Sequence, residues 1–292
     1  MENMNKTTKQ IRLYYDPNSS SNFNRYRIVH TAFEWTIDFD QQIIHGHVQF
    51  NIVKLNESLC EYSSTMTNVK QNDLPGQLIL DINKLNIEKV LYKTNLLDFE
   101  INNENKSLII DLNLLEEKED MFSICIYYST LSNQCPAVQW LTKDQTLDRK
   151  HPYLFSQCQS ILARSLYPCQ DSPGIKSTYT ARVTCPKPLI VLMSAIQTKH
   201  DPETNTFYFE QTIPISSYLV ALAVGDLVSF DFNSSIRVWS EASLIDKCRY
   251  EFAETEQVLR IAEQLLGEYQ WKRYDFIILP PSLPCKIRLI SM

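Results

Sequence analysis

Glycine is scarce in this sequence. The 292 residues include only five glycines, at positions 46, 76, 174, 225 and 267, where average usage would give roughly 20. Their wide spacing rules out every motif that needs paired glycines: the dinucleotide fingerprint, the phosphate loop, the kinase glycine-rich loop and the Gly-x-Ser-x-Gly nucleophile elbow. Nucleotide-driven chemistry and an α/β-hydrolase mechanism are therefore excluded.

Positive charge is not in excess. Lys and Arg number 28 against 34 Asp and Glu, which gives a net charge of −6, and the cations form no block. A chain of this kind is poorly suited to binding phosphate backbones, so we expect no nucleic-acid partner. The 44% hydrophobic and 11% aromatic content indicates a folded protein with one large domain or two smaller ones.

Long apolar runs are also missing. Residues 1–22 are polar and rich in Asn and Ser, which predicts a disordered tail and no secretory signal. The longest apolar run, 218–224, is far shorter than the about 20 residues that a membrane-spanning helix needs. We therefore expect a cytoplasmic protein without a membrane span, whose eight cysteines are free thiols.

No His-x-x-x-His pair occurs among the five histidines, so no helix can present two imidazoles one turn apart. His45 and His47 alternate on one face of a predicted strand and could bind zinc only with a third ligand from elsewhere. Two polar side chains that face solvent are the favoured interpretation. The residues themselves predict no metal site and no catalytic residue.

Hydrophobic residues alternate with polar ones along most of the chain. The alternation across 33–39 and 48–52 predicts an antiparallel hairpin, and residues 56–77 read as a long connection. Further strands are predicted at 78–82, 108–112, 122–128, 179–183, 189–193, 207–209 and 218–224. This pattern favours a mostly β fold, with a saddle-like or sandwich antiparallel domain over residues 23–230.

The period changes after Trp239. Apolar residues recur at helical spacing from Leu244 and predict one amphipathic helix of about 22 residues that ends at Gly267. A buried strand is predicted at 274–279, before Pro280 and Pro281. One helix and one strand cannot bury their own apolar faces, so we expect residues 231–284 to be the start of an incomplete second unit.

The segment 151–176 has no clear strand period and mixes polar side chains with aromatic residues and prolines. Two interpretations are open. Gln157 and Gln159 could present amides to a ligand, or the segment could be a structural loop held by a pair between Arg164 and Asp171. For Cys158, a plain buried thiol is favoured over a nucleophile, because no basic cluster or helix N-terminus lies nearby in sequence.

The same segment resembles the zinc aminopeptidase family that includes aminopeptidase N and aminopeptidase B. The Arg…Pro-Cys-x-Asp-x-Pro pattern at 164–173 is shared across that family, whereas Ser-Gln-Cys-Gln at 156–159 is specific to its leukotriene A4 hydrolase branch. The similarity extends in order from about residue 23 to 284, with further matches at 137–142, 192–195, 238–241, 250–252, 274–275 and 279–282.

This resemblance implies an N-terminal β-saddle domain followed by a thermolysin-like α/β zinc domain. It implies removal of N-terminal residues from peptide substrates and, in the leukotriene branch, epoxide hydrolysis. It also implies that Gln157, Cys158 and Gln159 lie at the edge of the catalytic cleft and contribute to substrate binding. Zinc is the cofactor expected in the complete enzyme.

The chain departs from the family pattern after Pro284. Family members continue with an aromatic residue and Gly-x-Met-Glu-Asn, and then with the His-Glu-x-x-His zinc motif, whereas residues 285–292 form a divergent tail. We therefore expect this chain to bind no zinc and to be inactive alone. The alternative interpretation is a truncated, non-catalytic isoform that acts as a binding or regulatory module.

Overall fold

The computed structural model describes residues 16–55, 76–104, 106–115 and 120–280. Within these ranges the protein is mostly β, as predicted. The strands are β1 (Tyr26–Asp38), β2 (Ile43–Lys54), β3 (Gln77–Asp81), β4 (Leu85–Tyr92), β5 (Asn95–Leu97), β6 (Phe99–Asn102), β7 (Ser107–Asp111), β8 (Met121–Thr130), β9 (Val138–Leu141), β10 (Tyr153–Ser156), β11 (Lys176–Thr184), β12 (Ile190–Met193), β13 (Ile196–Asp201), β14 (Thr206–Ser216), β15 (Leu222–Gly225), β16 (Val228–Asp231), β17 (Ile236–Ser240) and β18 (Tyr274–Ile277). The α-helices are α1 (Ile245–Glu251) and α2 (Thr255–Leu266).

An eight-stranded sheet, in the order β13-β14-β11-β1-β2-β8-β4-β5, forms the main layer. The predicted hairpin is confirmed as β1 paired antiparallel with β2, with Phe33 opposite Val48. The pairing of β1 with β11 is parallel, so the sheet is mixed rather than purely antiparallel. Through this parallel pair, β1 near the start of the chain lies beside β11, a strand far from it in sequence.

Two smaller sheets pack against one face of the main sheet. Their strand orders are β12-β15-β10-β9 and β3-β7-β6. The principal core lies between the layers and contains Trp35, Phe50 and Leu154 among many fully buried side chains. Burial of this apolar surface, at about 25 cal/mol per Å², is the main term that holds the layers together.

A third small sheet, in the order β16-β17-β18, contains the strands of the predicted second unit. Trp239 and Ile277 of this sheet share a hydrophobic cluster with Tyr153 and Phe155 of β10. The predicted strand at 274–279 is confirmed by β18, which pairs in parallel with β17.

The prediction of a single helix from Leu244 to Gly267 is wrong in one respect, because the segment forms two helices, α1 and α2. The N–H of Phe252 bonds to the carbonyl of Cys248 and closes α1, and the Phe252 ring stacks on Phe276 at 4.6 Å. Cys248 of α1 is buried, whereas α2 contains no buried residue. The break allows α1 to pack on the sheet while α2 continues along the surface.

The prediction of a disordered tail over residues 1–22 is corrected for residues 16–22. Ser19 and Asn22 are buried, and Asn22 accepts a hydrogen bond from the backbone N–H of Ile79 at 2.8 Å. These polar residues are ordered because they bond to the end of a buried sheet, a contact that their composition does not reveal. Residues 1–15, most of the connection predicted at 56–77, and the tail at 285–292 lie outside the described ranges.

Candidate substrate-binding loop

The loop that follows β10 contains the candidate site residues. β10 is buried along its whole length and pairs antiparallel with both β9 and β15. The backbone N–H of Gln157 donates to the carbonyl of Ala137 at 2.7 Å, which extends the pairing by one residue. The position at which Gln157, Cys158 and Gln159 leave the sheet is therefore set by strand pairing on both sides.

The three predicted residues have different surroundings. Gln157 is half-buried and Gln159 is exposed, while the Cys158 side chain is only 3% exposed and belongs to the principal core. Among the described residues, neither glutamine side chain makes a hydrogen bond, so both amides are open to a ligand. Burial raises the pKa of the Cys158 thiol, as expected for a packing residue rather than a nucleophile.

The pair expected under the structural interpretation is present. Arg164 Nε donates to Asp171 Oδ2 at 2.9 Å, and the Arg164 and Asp171 side chains are 8% and 1% exposed. Asp171 Oδ1 accepts a further hydrogen bond from Ser217 Oγ at 2.7 Å. The predicted pair is thus confirmed, and it fixes the turn that follows the candidate glutamines.

Asp81, at the end of β3, is a third member of this ion group that sequence reasoning missed. Its Oδ1 lies 3.8 Å from Arg164 NH1, and its Oδ2 accepts hydrogen bonds from Ser19 Oγ at 2.6 Å and from the Asp171 N–H at 3.0 Å. Asp81 is 90 residues from Asp171 in sequence. No local pattern signals such a contact, because only the tertiary fold brings β3 beneath the loop.

The charges in this group influence one another. Burial alone would lower the pKa of Arg164, but Asp81 and Asp171 outweigh that effect and raise it. Burial raises the pKa of Asp171, against the opposing hydrogen bonds from Ser217 and Arg164. The group remains an ion cluster because each charge has a partner, which is the condition under which charges are tolerated in a protein interior.

Another buried carboxylate, Glu241, fixes the connection between β9 and β10. Its oxygens accept hydrogen bonds from the N–H groups of Leu147 at 2.9 Å and Asp148 at 3.0 Å. Glu241 follows β17, so this contact ties the second unit to the loop that leads into β10. In the sequence, Glu241 stands out only as part of the family match at 238–241.

Tyr153, on β10, faces the same region. Its ring lies against Gly225, where an added Cβ would come within 2.4 Å of Cδ2. The Tyr153 hydroxyl is buried and has no hydrogen-bond partner among the described residues, and burial strongly raises its pKa. Glycine at 225 is therefore required by the close approach of the ring rather than by its backbone angles.

The residues present do not fit a zinc ion. Within the described ranges, no three His, Cys, Asp or Glu side chains are grouped so that they could hold a metal. His47 Nε2 lies 4.0 Å from Glu34 Oε2, and the His47 ring lies 4.9 Å from the Tyr127 ring. His45 is exposed on the same strand. The pair at 45 and 47 thus has no third ligand in this part of the chain.

Among the described residues, no helix combines the length and the hydrophobicity that a membrane span requires.

Comparison with known proteins gives a consistent result. Residues 29–219 match the family model described as the Peptidase M1 N-terminal domain. Leukotriene A-4 hydrolase of Xenopus laevis is 46% identical over 161 residues, which cover 53% of this chain and 26% of that protein. Leucine aminopeptidase 2 of Lodderomyces elongisporus is 34% identical over 276 residues, or 92% of this chain and 39% of that protein.

Solved structures agree with these sequence relatives. Native yeast LTA4 hydrolase superposes with a TM-score of 0.81 at 33% identity, over 92% of this chain and 40% of that one. A yeast LTA4 hydrolase solved in complex with bestatin gives a TM-score of 0.80 at 32% identity, over 93% of this chain and 40% of that one. The chain thus spans between a quarter and about two fifths of the length of these relatives. It belongs to the M1 peptidase family, and it matches the N-terminal portion of the family's leukotriene A4 hydrolase and leucine aminopeptidase members.

Proposed function

We propose that this chain forms the N-terminal part of a leukotriene A4 hydrolase-like zinc aminopeptidase, which removes N-terminal residues from peptides in the cytoplasm. The observation that carries the proposal is the superposition of 92% of the chain on native yeast LTA4 hydrolase with a TM-score of 0.81. Epoxide hydrolysis is a second candidate activity of the complete enzyme. Zinc would be held by residues that the described part of this chain does not supply.

Within that enzyme, Gln157 and Gln159 would bind the peptide at the edge of the cleft. A glutamine amide carries both a donor and an acceptor, which matches the N–H and C=O groups of a peptide backbone. The open amides of both residues, and the buried ion group beneath the loop, support this role. Cys158 would act as the buried anchor that sets the spacing between the two glutamines.

The first test concerns the chain by itself. We expect zinc content at background by mass spectrometry, and background hydrolysis of aminoacyl chromogenic substrates. Bound zinc in a one-to-one ratio with turnover would contradict the proposed inactivity of the isolated chain.

The second test concerns the two glutamines. In a chimaera that carries this chain in place of the matching part of yeast LTA4 hydrolase, Gln159→Ala should raise KM for a tripeptide about tenfold, because a polar contact to the substrate is lost. Gln197→Ala, an exposed glutamine on β13, is the matched control and should leave KM unchanged. Equal KM values for the two variants would refute the substrate-binding role.

A second candidate function is a non-catalytic binding or regulatory module. The specific observation in its favour is the exposed apolar surface of α1 and α2, where Tyr250, Leu265 and Leu266 are 85%, 77% and 87% exposed. Such patches are commonly covered by another protein or domain. Light scattering of the purified chain distinguishes the candidates, since a monodisperse monomer at high concentration would argue against a module that works by association.

A further inference from the structure

The outer face of the main sheet carries a continuous row of charged and aromatic side chains. Strand pairing places Lys89 opposite Tyr127, Tyr127 opposite His47, and His47 opposite Glu34. It then places Glu34 opposite Arg182, Arg182 opposite Tyr208, and Tyr208 opposite Lys199. We call this row the outer ladder, and it crosses seven of the eight strands in a single line.

Direct contacts join the members of the outer ladder. Lys89 Nζ lies 4.2 Å from the centre of the Tyr127 ring, and Lys199 Nζ lies 5.2 Å from that of Tyr208. Both distances are within the range of cation–π attraction. At the centre, Arg182 NH1 donates to Glu34 Oε1 at 2.7 Å. The ladder is therefore an organised surface rather than a set of independent side chains.

The ladder lies opposite the principal core. The neighbouring positions Phe33, Val48 and Val183 point inward and are buried, whereas Lys89, Arg182 and Lys199 are exposed. Alternation along a strand requires this separation, since successive side chains point to opposite faces. The outer ladder therefore lies outside the principal core, on the solvent-facing side of the sheet.

The charge of the ladder is opposite to that of the chain as a whole. The ladder contains three permanent cations and one carboxylate, while the whole chain has a net charge of −6. The single carboxylate, Glu34, is already paired with Arg182. Each end has a lysine over a tyrosine ring, and the lysine at one end, Lys199, also interacts electrostatically with Asp201.

The pattern disfavours a second copy of the chain as the occupant. A two-fold axis through Glu34 would set Glu34 against Glu34 and Lys89 against Lys199, which are like-charge contacts and unfavourable. From six strand spacings of about 4.8 Å, the ladder is about 29 Å long. An extended polypeptide of about nine residues, at about 3.3 Å each, has that length.

We propose that the outer ladder is a docking surface for an extended acidic polypeptide segment. The carboxylates of the segment lie against Lys89, Lys199 and the guanidinium of Arg182, and its apolar atoms rest on Tyr127 and Tyr208. This surface is separate from the loop at 157–159, so the inference does not depend on the proposed peptidase function.

The test uses the 292-residue chain and a fluorescein-labelled (Glu-Ser)5 peptide, with binding followed by fluorescence anisotropy. We expect binding that weakens as salt is added, and a loss of at least about tenfold in affinity in the double variant Lys89→Glu/Lys199→Glu. The matched control is Lys187→Glu/Lys247→Glu, which makes the same charge change at exposed sites off the ladder. This control should retain affinity within about twofold of the unaltered chain.

A tyrosine variant and a nucleic-acid probe test the proposal further. The variant Tyr127→Ser/Tyr208→Ser preserves every charge and should also weaken binding. An unchanged affinity would contradict the proposed contact between the peptide and the two rings. Absence of peptide binding by the unaltered chain, or an equal loss in the two charge variants, would overturn the proposal. Binding of a labelled oligouridylate as tightly as the acidic peptide would overturn the choice of a polypeptide.

Discussion

The loop at 157–173 and the helix α2 differ in opposite ways from what their sequences suggest. The loop has no regular period, yet its Asp171 is 1% exposed and it lies over Asp81 of β3, which is 0% exposed. The helix has a clear 3.6-residue period, yet none of its residues is buried. Periodicity therefore predicted local conformation, whereas burial depended on what the tertiary fold placed beside each segment.

The loop and the helix differ in burial because different groups surround them. An ion group in an interior must be satisfied on all sides, and the loop achieves this with groups from β3, residues 16–22 and Ser217. An amphipathic helix gains stability only when its apolar face meets another surface. Within the described ranges, Leu259 is the one residue of α2 that packs against a core cluster, and it does so only in part, whereas Leu265 and Leu266 are 77% and 87% exposed.

The largest effect is expected when the loop loses its cation. Arg164→Met leaves Asp81 and Asp171 buried without a counter-charge and should lower the free energy of unfolding by about 3–5 kcal/mol. Urea denaturation followed by tryptophan fluorescence measures the change. Arg260→Met, which breaks an exposed pair with Glu256 on α2, is the control and should cost less than about 1 kcal/mol. Similar losses in the two variants would contradict the contrast between loop and helix.

A smaller effect is expected at the link between the two units. Glu241→Ala leaves the N–H groups of Leu147 and Asp148 without their acceptors and should cost about 1–3 kcal/mol. The same denaturation assay applies. Glu256→Ala on α2 serves as the control because its carboxylate is partly exposed. If Glu241→Ala were no more costly than Glu256→Ala, the proposed tie between the units would be refuted.

Helix α2 should tolerate substitutions of apolar residues that would destabilise a fully packed helix. Leu265→Ser/Leu266→Ser should alter the free energy of unfolding by no more than about 0.5 kcal/mol, because both side chains are exposed. Light scattering should show less self-association than in the unaltered chain. A loss above about 2 kcal/mol would mean that the face of α2 is covered in solution.

The smallest effect concerns pH. The hydrogen bond from Arg237 lowers the pKa of Asp231, so this carboxylate contributes stability above its unfolded pKa of about 3.9. That contribution should be lost as the pH falls through the lower pKa of the folded state. Unfolding measured between pH 5 and pH 2 in the unaltered chain and in Arg237→Leu should converge at the acid end. Parallel curves would show that the pair does not stabilise the fold.

Much of the architecture was predictable from the sequence. The alternation of Phe33, Trp35 and Ile37 predicted the first hairpin, and the apolar run at 274–279 predicted β18. The pairing of Arg164 with Asp171 was also anticipated, because the two residues lie close together in the chain. These features depend on local period or short separation, which a sequence displays directly.

Other features were not predictable. Asp81 reaches Asp171 across 90 residues, and Glu241 reaches Leu147 across 94. The burial of Cys158 and the exposure of Gln159, one position apart, likewise follow from how the loop leaves β10. No local pattern encodes contacts of this range, since each depends on the packing of separate sheets.

Local sequence patterns were enough to establish the mostly β character, the change of period after Trp239 and the exclusion of glycine-dependent nucleotide chemistry. Backbone preferences and hydrophobic alternation operate over a few residues, so they can be recognised without a fold. The ion group under the loop, the outer ladder and the exposure of most of α2 became apparent from the three-dimensional fold. The first two features arise where the fold brings together strands that are distant in sequence. The third arises because little of the helix is covered by another surface. No short stretch of residues reveals either condition.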